Sequence, residues 1–392
     1  MIDGRLLDVL MVTPGIAYGA GANAVFWGPP SGGKSALLSA LVRERYKVPF
    51  VMLSPGQRGE GGFGVVPFIT GDGASARIKF PVQAWVDVFE ETDGRGVVFV
   101  DEISTATPAV QSALLQLLLD RILGDHRFPI GVRVIAAGNT PESAANGFDL
   151  APPLVSRLMH FQWEPPSPAE HDKYITSKPF KYRSDENAIG TYDPTPFDGL
   201  EAKVKSEWSS TRPTVAATVV GFLRANPSKR QRDFVVGKDV CYKAHPSRRG
   251  WDVAVDAMTV AHSLGYTDLD DTLVEAAVGA DVSVEFSAYR RTLDLPDPEA
   301  VLDGKVPFVH DPRRLDRTAV VLRALGTFVR EDKSARRTNR ADVLWQVLED
   351  VGQTAGDLCL FAAKQLVMSG LDKSVAATRA QNTLRHVVKA LT

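Results

Sequence analysis

The sequence has few of the residues that hold small secreted or metal-stabilised folds together. Its 392 residues include only two cysteines, Cys241 and Cys359, without paired spacing or a neighbouring histidine cluster. This argues against a disulfide framework and against a cysteine–histidine zinc site. We therefore expect a reducing, cytoplasmic environment.

Long apolar runs and an excess of one charge are also missing. No stretch approaches the roughly 20 apolar residues that span a bilayer, and residues 1–5 lack a signal-peptide pattern. Lys and Arg total 45 against 47 Asp and Glu, a net charge of −2. We expect a soluble, non-exported protein with no strong global attraction to nucleic acid, although the net charge does not exclude a local basic patch.

What is present is typical of a globular protein. Hydrophobic residues make up 44% of the chain and charged residues 23%, close to the averages for folded soluble proteins. A chain of this length can bury a large core and accommodate two or three domains.

Short apolar runs alternate with helical patterns in the first part of the chain. This alternation predicts an α/β core with a parallel sheet of five strands, covered by helices. An amphipathic helix is predicted from Pro108 to Ile122, between the third and fourth runs. The five runs are 24–27, 48–53, 97–100, 132–137 and a short one at 159–161.

Two proline-rich breaks divide the chain. The first lies near residues 164–168 and the second begins near residue 294. We predict an α/β core over 1–165, an α-helical segment over 166–293, and a linker with a helical C-terminal region over 294–392.

The strongest motif follows the first run directly. It has the spacing of a phosphate-binding loop, in which glycines expose backbone N–H groups to phosphates and the next helix adds its dipole. Lys34 is predicted to reach the β- and γ-phosphates and Ser35 to ligate Mg²⁺; the bland alternative is a Gly/Pro-rich turn. The predicted nucleotide-binding residues are Gly28, Pro29, Pro30, Ser31, Gly32, Gly33, Lys34, Ser35 and Ala36.

The third run ends abruptly in two acids, Asp101 and Glu102. Adjacent side chains on a strand point to opposite sides, so we expect different roles for them. Asp101 is predicted to hold the Mg²⁺ shell, and Glu102 to act on the attacking water. Without the phosphate loop, two solvated residues at a loop start would be a reasonable interpretation.

Two further polar residues follow later elements. Asn139 ends the fourth run, at the sheet edge where ligands of α/β sheets bind, but it is equally an ordinary turn former before Thr140. Arg157 ends a short helical pattern; on position alone, a surface salt bridge is the better interpretation of it.

These segments, in this order, resemble the AAA+ ATPases, and more narrowly their MoxR-like and dynein-related subgroup. The resemblance lies in the phosphate loop, residues 96–103, 111–116, 136–139 and 154–158. It implies a P-loop AAA+ fold in which the helical segment 166–293 is a lid. It also implies that Lys34 and Ser35 are the Walker A pair, Asp101 and Glu102 the Walker B pair, Asn139 sensor 1 and Arg157 a trans-acting arginine finger.

The lid contains His245 to Trp251, which is similar to the family stretch that carries a sensor 2 arginine. Spacing to Trp251 favours Arg249, and Arg248 stays an alternative because the register shifts by an inserted residue. The sequence leaves the roles of two other segments undecided. Residues 54–68 are glycine-dense and would line a pore or serve as a flexible connector; residues 122–132 predict a hairpin, which the resemblance makes a pre-sensor hairpin facing a channel.

The resemblance implies an ATPase with ATP and Mg²⁺ as cofactors. Its subunits would form a homo-oligomeric ring, a hexamer, that remodels or activates a protein client in a chaperone-like manner, and in this subgroup a client with a von Willebrand factor A domain. One alternative is a nucleic-acid motor, which the near-neutral net charge disfavours. The other is a nucleotide-gated scaffold with little hydrolysis, which the presence of Glu102, Asn139 and Arg157 argues against. His126, His160, His262, Trp85, Trp163 and Trp251 receive no chemical role.

Overall fold

The computed structural model describes residues 4–14, 22–81, 84–140, 147–177, 192–235, 240–291 and 295–385. The strands are β1 Ala24–Trp27, β2 Phe50–Leu53, β3 Phe68–Thr70, β4 Arg77–Lys79, β5 Gly96–Val100, β6 Ile122–Leu123, β7 His126–Arg127, β8 Val132–Gly138 and β9 Met159–Gln162. The helices are α1 Gly4–Val12, α2 Lys34–Leu41, α3 Pro55–Arg58, α4 Asp87–Glu90, α5 Pro108–Asp120, α6 Pro152–Val155, α7 Pro168–Ser177, α8 Thr195–Ala225, α9 Arg248–Leu264, α10 Asp270–Val278, α11 Ala280–Arg291, α12 Pro298–Leu302, α13 Leu315–Glu331, α14 Arg337–Met368 and α15 Val375–Thr383.

Five strands form the predicted parallel sheet, in the order β2-β5-β8-β1-β9. All of its neighbouring pairs are parallel. The registers pair Leu53 with Val100, Val100 with Ala136, and Trp27 with Gly138. The carboxyl ends of β5, β8 and β1 therefore lie at one edge, where the residues that follow them are brought together.

The predicted α/β fold is confirmed, with small differences in strand bounds. β2 begins at Phe50 rather than at residue 48, because Pro49 has no N–H to contribute to a strand ladder. β5, β8 and β9 each extend one residue beyond their predicted limits.

The helix predicted from Pro108 is also present. Thr107 is its N-cap and accepts a hydrogen bond from Val110 N, and Pro108 occupies the first turn, where a missing N–H costs nothing. The helix ends at Asp120 because Arg121 adopts a left-handed conformation.

Two hairpins lie between the sheet strands. The one predicted within 122–132 is confirmed as β6 and β7. The β3–β4 hairpin was not expected, and its strand residues are all exposed. The two hairpins meet where Asp125 N donates to Phe80 O (2.8 Å) and Phe80 N donates to Asp125 Oδ2 (2.9 Å).

The chain forms two compact units. The first comprises Met1–Ala202, Gln231–Ala257 and Asp268–Ala280, and the second comprises Lys203–Arg230, Met258–Thr267 and Asp281–Thr392. The helices predicted for the lid contribute to both units. The three predicted segments stay a prediction, and the boundary at 293 and 294 lies outside the described residues.

Each unit has its own apolar core. In the first, side chains of the central strands pack against α5, with Val98, Val100 and Leu114 almost fully buried. In the second, α13, α14 and α15 pack around Trp345. The helical C-terminal region expected from the sequence is thus confirmed. Among the described residues, no helix is long and apolar enough to cross a membrane.

Candidate functional site

The phosphate loop runs between β1 and α2, as its motif predicts. Gly28 N donates to Gly138 O at 3.2 Å, which ties the loop to the end of β8. Gly33 has a φ of 79° and caps α2, a conformation that suits glycine. Gly28 and Gly32 are buried, whereas Pro29, Pro30, Ser31, Gly33 and Ala36 are exposed. The loop therefore presents backbone to solvent directly before a helix N-terminus, as an anion site requires.

The Lys34 side chain lies inside this loop. Its Nζ donates to Gly28 O (2.9 Å), to Pro29 O (2.8 Å) and to Asn139 Oδ1 (3.2 Å). Burial lowers the pKa of Lys34 below its ordinary value, while the nearby charges of Asp101 and Glu102 act in the opposite direction. The ammonium group is thus held by neutral oxygens at a position facing two carboxylates.

Ser35 and Asp101 are brought into direct contact. Ser35 Oγ donates to Asp101 Oδ2 at 2.8 Å, across 66 positions of sequence. Hydroxyl and carboxylate oxygens are the donors that Mg²⁺ prefers, and this ion keeps several of its ligands as water and substrate phosphate. The pair therefore fits Mg²⁺, although among the described residues no group of three or more His, Cys, Asp or Glu could hold a metal by itself.

Glu102 has an unusual backbone conformation. Its φ of 55° and ψ of 48° are left-handed, which few non-glycine residues adopt. Its N–H donates to Asp101 Oδ1 at 3.1 Å, and the residue is exposed. The turn separates the two acids, so that Asp101 contacts Ser35 while Glu102 faces solvent.

Gln111 connects the segments around the acidic strand end. It is buried on α5, and its Nε2 donates to Ala106 O (3.1 Å) and to Asp149 O (3.0 Å). Its Oε1 accepts from Ala151 N at 2.7 Å. One amide thus holds the stretch that precedes α6 against the stretch that follows Glu102.

Arg157 lies just after α6 and is half-buried. Its Nη1 donates to Pro153 O at 2.6 Å, and its buried Nε has no hydrogen-bond partner among the described residues. Burial lowers the pKa of Arg157, and the charge of Arg249 lowers it further. Arg157 and Arg249 therefore lie close enough to repel each other within one chain, an arrangement that an anion would stabilise.

Arg248 and Arg249 open α9. Arg249 is half-buried, whereas Arg248 is exposed. Gly250 N donates to Ser247 Oγ at 2.9 Å, which closes the first turn of the helix. The charge of Arg249 acts on Arg157, and which of the two arginines is sensor 2 stays a prediction.

His160, given no role from the sequence, joins β9 to two neighbours. Trp27 Nε1 donates to its Nδ1 at 3.0 Å, and its Nε2 lies 2.9 Å from Val155 O. Both nitrogens are satisfied in the neutral form that carries its proton on Nε2. Burial accordingly lowers the pKa of His160 to about 4.

We expect this histidine to make stability depend on pH. Since the folded pKa is below the ordinary value of 6.5, its contribution is fully present above pH 6.5 and is lost as pH falls toward 4. The loss is roughly 3 kcal/mol. Urea unfolding at several pH values, on the native chain and on His160→Gln, checks this. The free energy of unfolding of the variant should fall less between pH 6.5 and pH 4 than that of the native chain. Equal decreases in the two proteins would contradict the expectation.

Trp163, also assigned no role from the sequence, contacts the phosphate loop. It is 6% exposed, and its Nε1 donates to Gly32 O at 2.8 Å. A Cβ on Gly28 would lie 2.8 Å from Trp163 Cβ. Nothing in the local sequence indicates this, because Gly32 is 131 positions away.

The two segments considered for a pore have defined structure. Residues 54–68 contain α3 and a helical turn at Glu60–Phe63, with Phe63 fully buried. The 122–132 segment is anchored by Arg121, whose Nη2 donates to Val132 O at 2.8 Å. Whether either segment faces a channel stays a prediction.

Comparison with known proteins agrees with this geometry. Residues 24–158 match the family described as ATPase family associated with various cellular activities (AAA). No curated protein matches the chain. Among solved structures, a candidate ATPase from Cytophaga hutchinsonii is similar at a TM-score of 0.44 and 13% identity, covering 75% of this chain and 89% of that one. This loose likeness says nothing about function.

Proposed function

We propose that the protein, whose residues 24–158 match the AAA family of ATPases, binds ATP with Mg²⁺ and hydrolyses it. The proposal extends to a ring of identical subunits, a hexamer, that uses hydrolysis to remodel a protein partner. The observation that carries it is the convergence of Lys34, Ser35, Asp101 and Asn139 at the edge where β1, β5 and β8 end.

The chain's own groups divide the chemistry between them. Lys34, held at the loop by the Gly28 and Pro29 carbonyls, supplies a positive charge for the β- and γ-phosphates. Ser35 and Asp101 would hold Mg²⁺, which when bound neutralises phosphate charge. The Ser35–Asp101 hydrogen bond of 2.8 Å supports this assignment, because it already aligns two oxygens of the required kind.

Glu102 and Asn139 would act on the water and the terminal phosphate. Glu102 is exposed to solvent, and the hydrogen bond of Ser35 goes to Asp101 and not to Glu102. It is therefore suited to accept a proton from the attacking water. Asn139 contacts Lys34 at 3.2 Å, so its amide lies where the γ-phosphate is expected.

Arg157 would act on the nucleotide of the adjacent subunit, and Arg249, as the sensor 2 arginine of the lid, on the nucleotide of its own chain. The buried Nε of Arg157, which has no hydrogen-bond partner among the described residues, supports an anionic ligand beside this side chain. A terminal phosphate of an adjacent subunit meets that need, and an arginine added to a phosphoryl-transfer site contributes about 10³–10⁵ in rate. Such an interface is head-to-tail, and it generates a ring when the rotation between subunits closes.

Exposed apolar side chains support a protein partner. On the β3–β4 hairpin, Phe68, Ile69 and Ile78 are 62%, 68% and 64% exposed. Clustered apolar exposure of this kind is typical of protein contact sites. The MoxR-like resemblance adds a client with a von Willebrand factor A domain and a chaperone-like role to the proposal.

The experiment is ATP hydrolysis measured as protein concentration rises. Specific activity should climb with concentration and reach a plateau, because the site needs Arg157 of a neighbour. Gel filtration of the same samples with and without ATP reports assembly. Specific activity that is independent of concentration would contradict the shared site. Tight ATP binding without turnover would favour the nucleotide-gated scaffold. Salt-sensitive DNA binding would favour the nucleic-acid motor.

A further inference from the structure

Both the backbone and the indole ring of Trp163 contact strand β1. Its backbone N donates to Trp27 O at 2.7 Å, which continues the pairing of β9 with β1. Its ring meets Phe26 edge-on, with centroids 6.0 Å apart. The side chain therefore has a fixed position beside the phosphate loop, set by the sheet rather than by the loop itself.

From this position Trp163 holds one peptide group of the loop. The peptide between Gly32 and Gly33 is planar, and no cis peptide occurs among the described residues. In a trans peptide the C=O and N–H point in opposite directions. Because the Gly32 oxygen accepts from Trp163 Nε1, the Gly33 N–H must point away from the indole.

Gly33 is a residue that can rotate without such a restraint. Its φ of 79° lies in the left-handed region, and a Cβ there would meet nothing within 4 Å. Ser31, two residues earlier in the loop, also has a positive φ, of 60°. Gly32 and Gly33 both lack a Cβ, so the peptide between them has a wide choice of orientations, and the hydrogen bond from Trp163 selects one of them.

We propose that Trp163 is a positioning residue that holds the Gly32–Gly33 peptide with its N–H turned to the phosphates. The inference rests on the proposed function, since it presupposes that the loop binds a polyphosphate. Trp163 touches no phosphate itself and acts only through the loop backbone.

Trp163 also lines a cavity of about 390 Å³, together with Leu6, Glu164, Thr272 and Glu275. A ligand there would contact the indole directly. The test must therefore separate an effect on the phosphates from an effect on a group in the cavity. Inorganic tripolyphosphate makes this separation, because it has the phosphate chain of ATP and nothing else.

The experiment compares Trp163→Phe with the native chain by calorimetric titration of ATP and of tripolyphosphate. The variant keeps an aromatic ring but loses the N–H donor. We expect the Kd to rise about tenfold for both compounds, with kcat changed less than the KM for ATP. Trp163→Tyr, which retains more of the side-chain volume, should give the same pattern if Trp163→Phe is poorly folded.

The matched control is Trp85→Phe. Trp85 belongs to the same unit, packs against Phe89 and Phe128, and its Nε1 has no hydrogen-bond partner among the described residues. Both Kd values should stay unchanged in this control. The change in tryptophan emission on adding tripolyphosphate should persist in it and disappear in Trp163→Phe.

Unchanged affinities in Trp163→Phe would overturn the inference. So would weaker binding of ATP alone, because that result places the role of Trp163 in the cavity. If the native chain binds neither compound, the proposed function fails, and the inference falls with it. The absence of binding is measured on the native chain alone, so a failure of the proposed function is distinguished from a failure of the inference about Trp163.

Discussion

Glu102→Gln is expected to lower ATP hydrolysis by about 10²–10⁴-fold while ATP still binds. The amide keeps the size of the side chain but cannot take the proton of the attacking water. Because Glu102 is exposed and the hydrogen bonds that hold Lys34 and Ser35 go to other residues, the phosphate loop should keep its structure. Phosphate release and calorimetric titration of ATP on the same preparation measure the two effects.

The control is Glu90→Gln, the same chemical change at the exposed end of α4. It should hydrolyse ATP at the native rate. Native turnover in Glu102→Gln would remove this residue from the proposed mechanism. Loss of ATP binding together with hydrolysis would assign it to the binding site instead.

Arg157→Ala is expected to lower hydrolysis by about 10³-fold or more at saturating ATP. The guanidinium would neutralise charge that develops on the transferred phosphate, and alanine supplies none. Arg157→Lys should fall between alanine and the native residue, because it keeps the charge but loses the planar donors. Steady-state turnover over a range of ATP concentrations gives kcat separately from KM.

Mixing the two inactive variants tests whether Arg157 acts on a neighbour. An interface that joins Glu102 of an Arg157→Ala subunit to Arg157 of a Glu102→Gln subunit contains both groups. Random mixing in equal amounts creates such interfaces at about a quarter of the positions in a closed ring. Hydrolysis should therefore reappear in the mixture. A mixture as inactive as its components would show that Arg157 serves the nucleotide of its own chain.

Much of the fold could be predicted because its signals are local. Each strand of the sheet is a short apolar run, and the predicted phosphate loop is one contiguous stretch of sequence. The meeting of Ser35 with Asp101 followed from a general property of parallel sheets, namely that strands end at a common edge.

Other features had no local signal. The β3–β4 hairpin was missed, since its strands have three residues each and their exposed side chains carry no burial pattern. The division into two units was not anticipated either, because α8 and α9 contribute to both. Arg249 is half-buried and Arg248 is exposed, but which of the two is sensor 2 stays a prediction, as spacing left it.

The sequence by itself determined the α/β class of the fold and the positions of the predicted phosphate loop and acidic pair, because these are patterns of neighbouring residues. Only the tertiary structure decided which groups hold them in place: Trp163 on Gly32, His160 between Trp27 and Val155, and Gln111 on Asp149. Those contacts join residues far apart in the chain. A hydrogen bond depends on distance and angle in space, and spacing along the sequence contains neither.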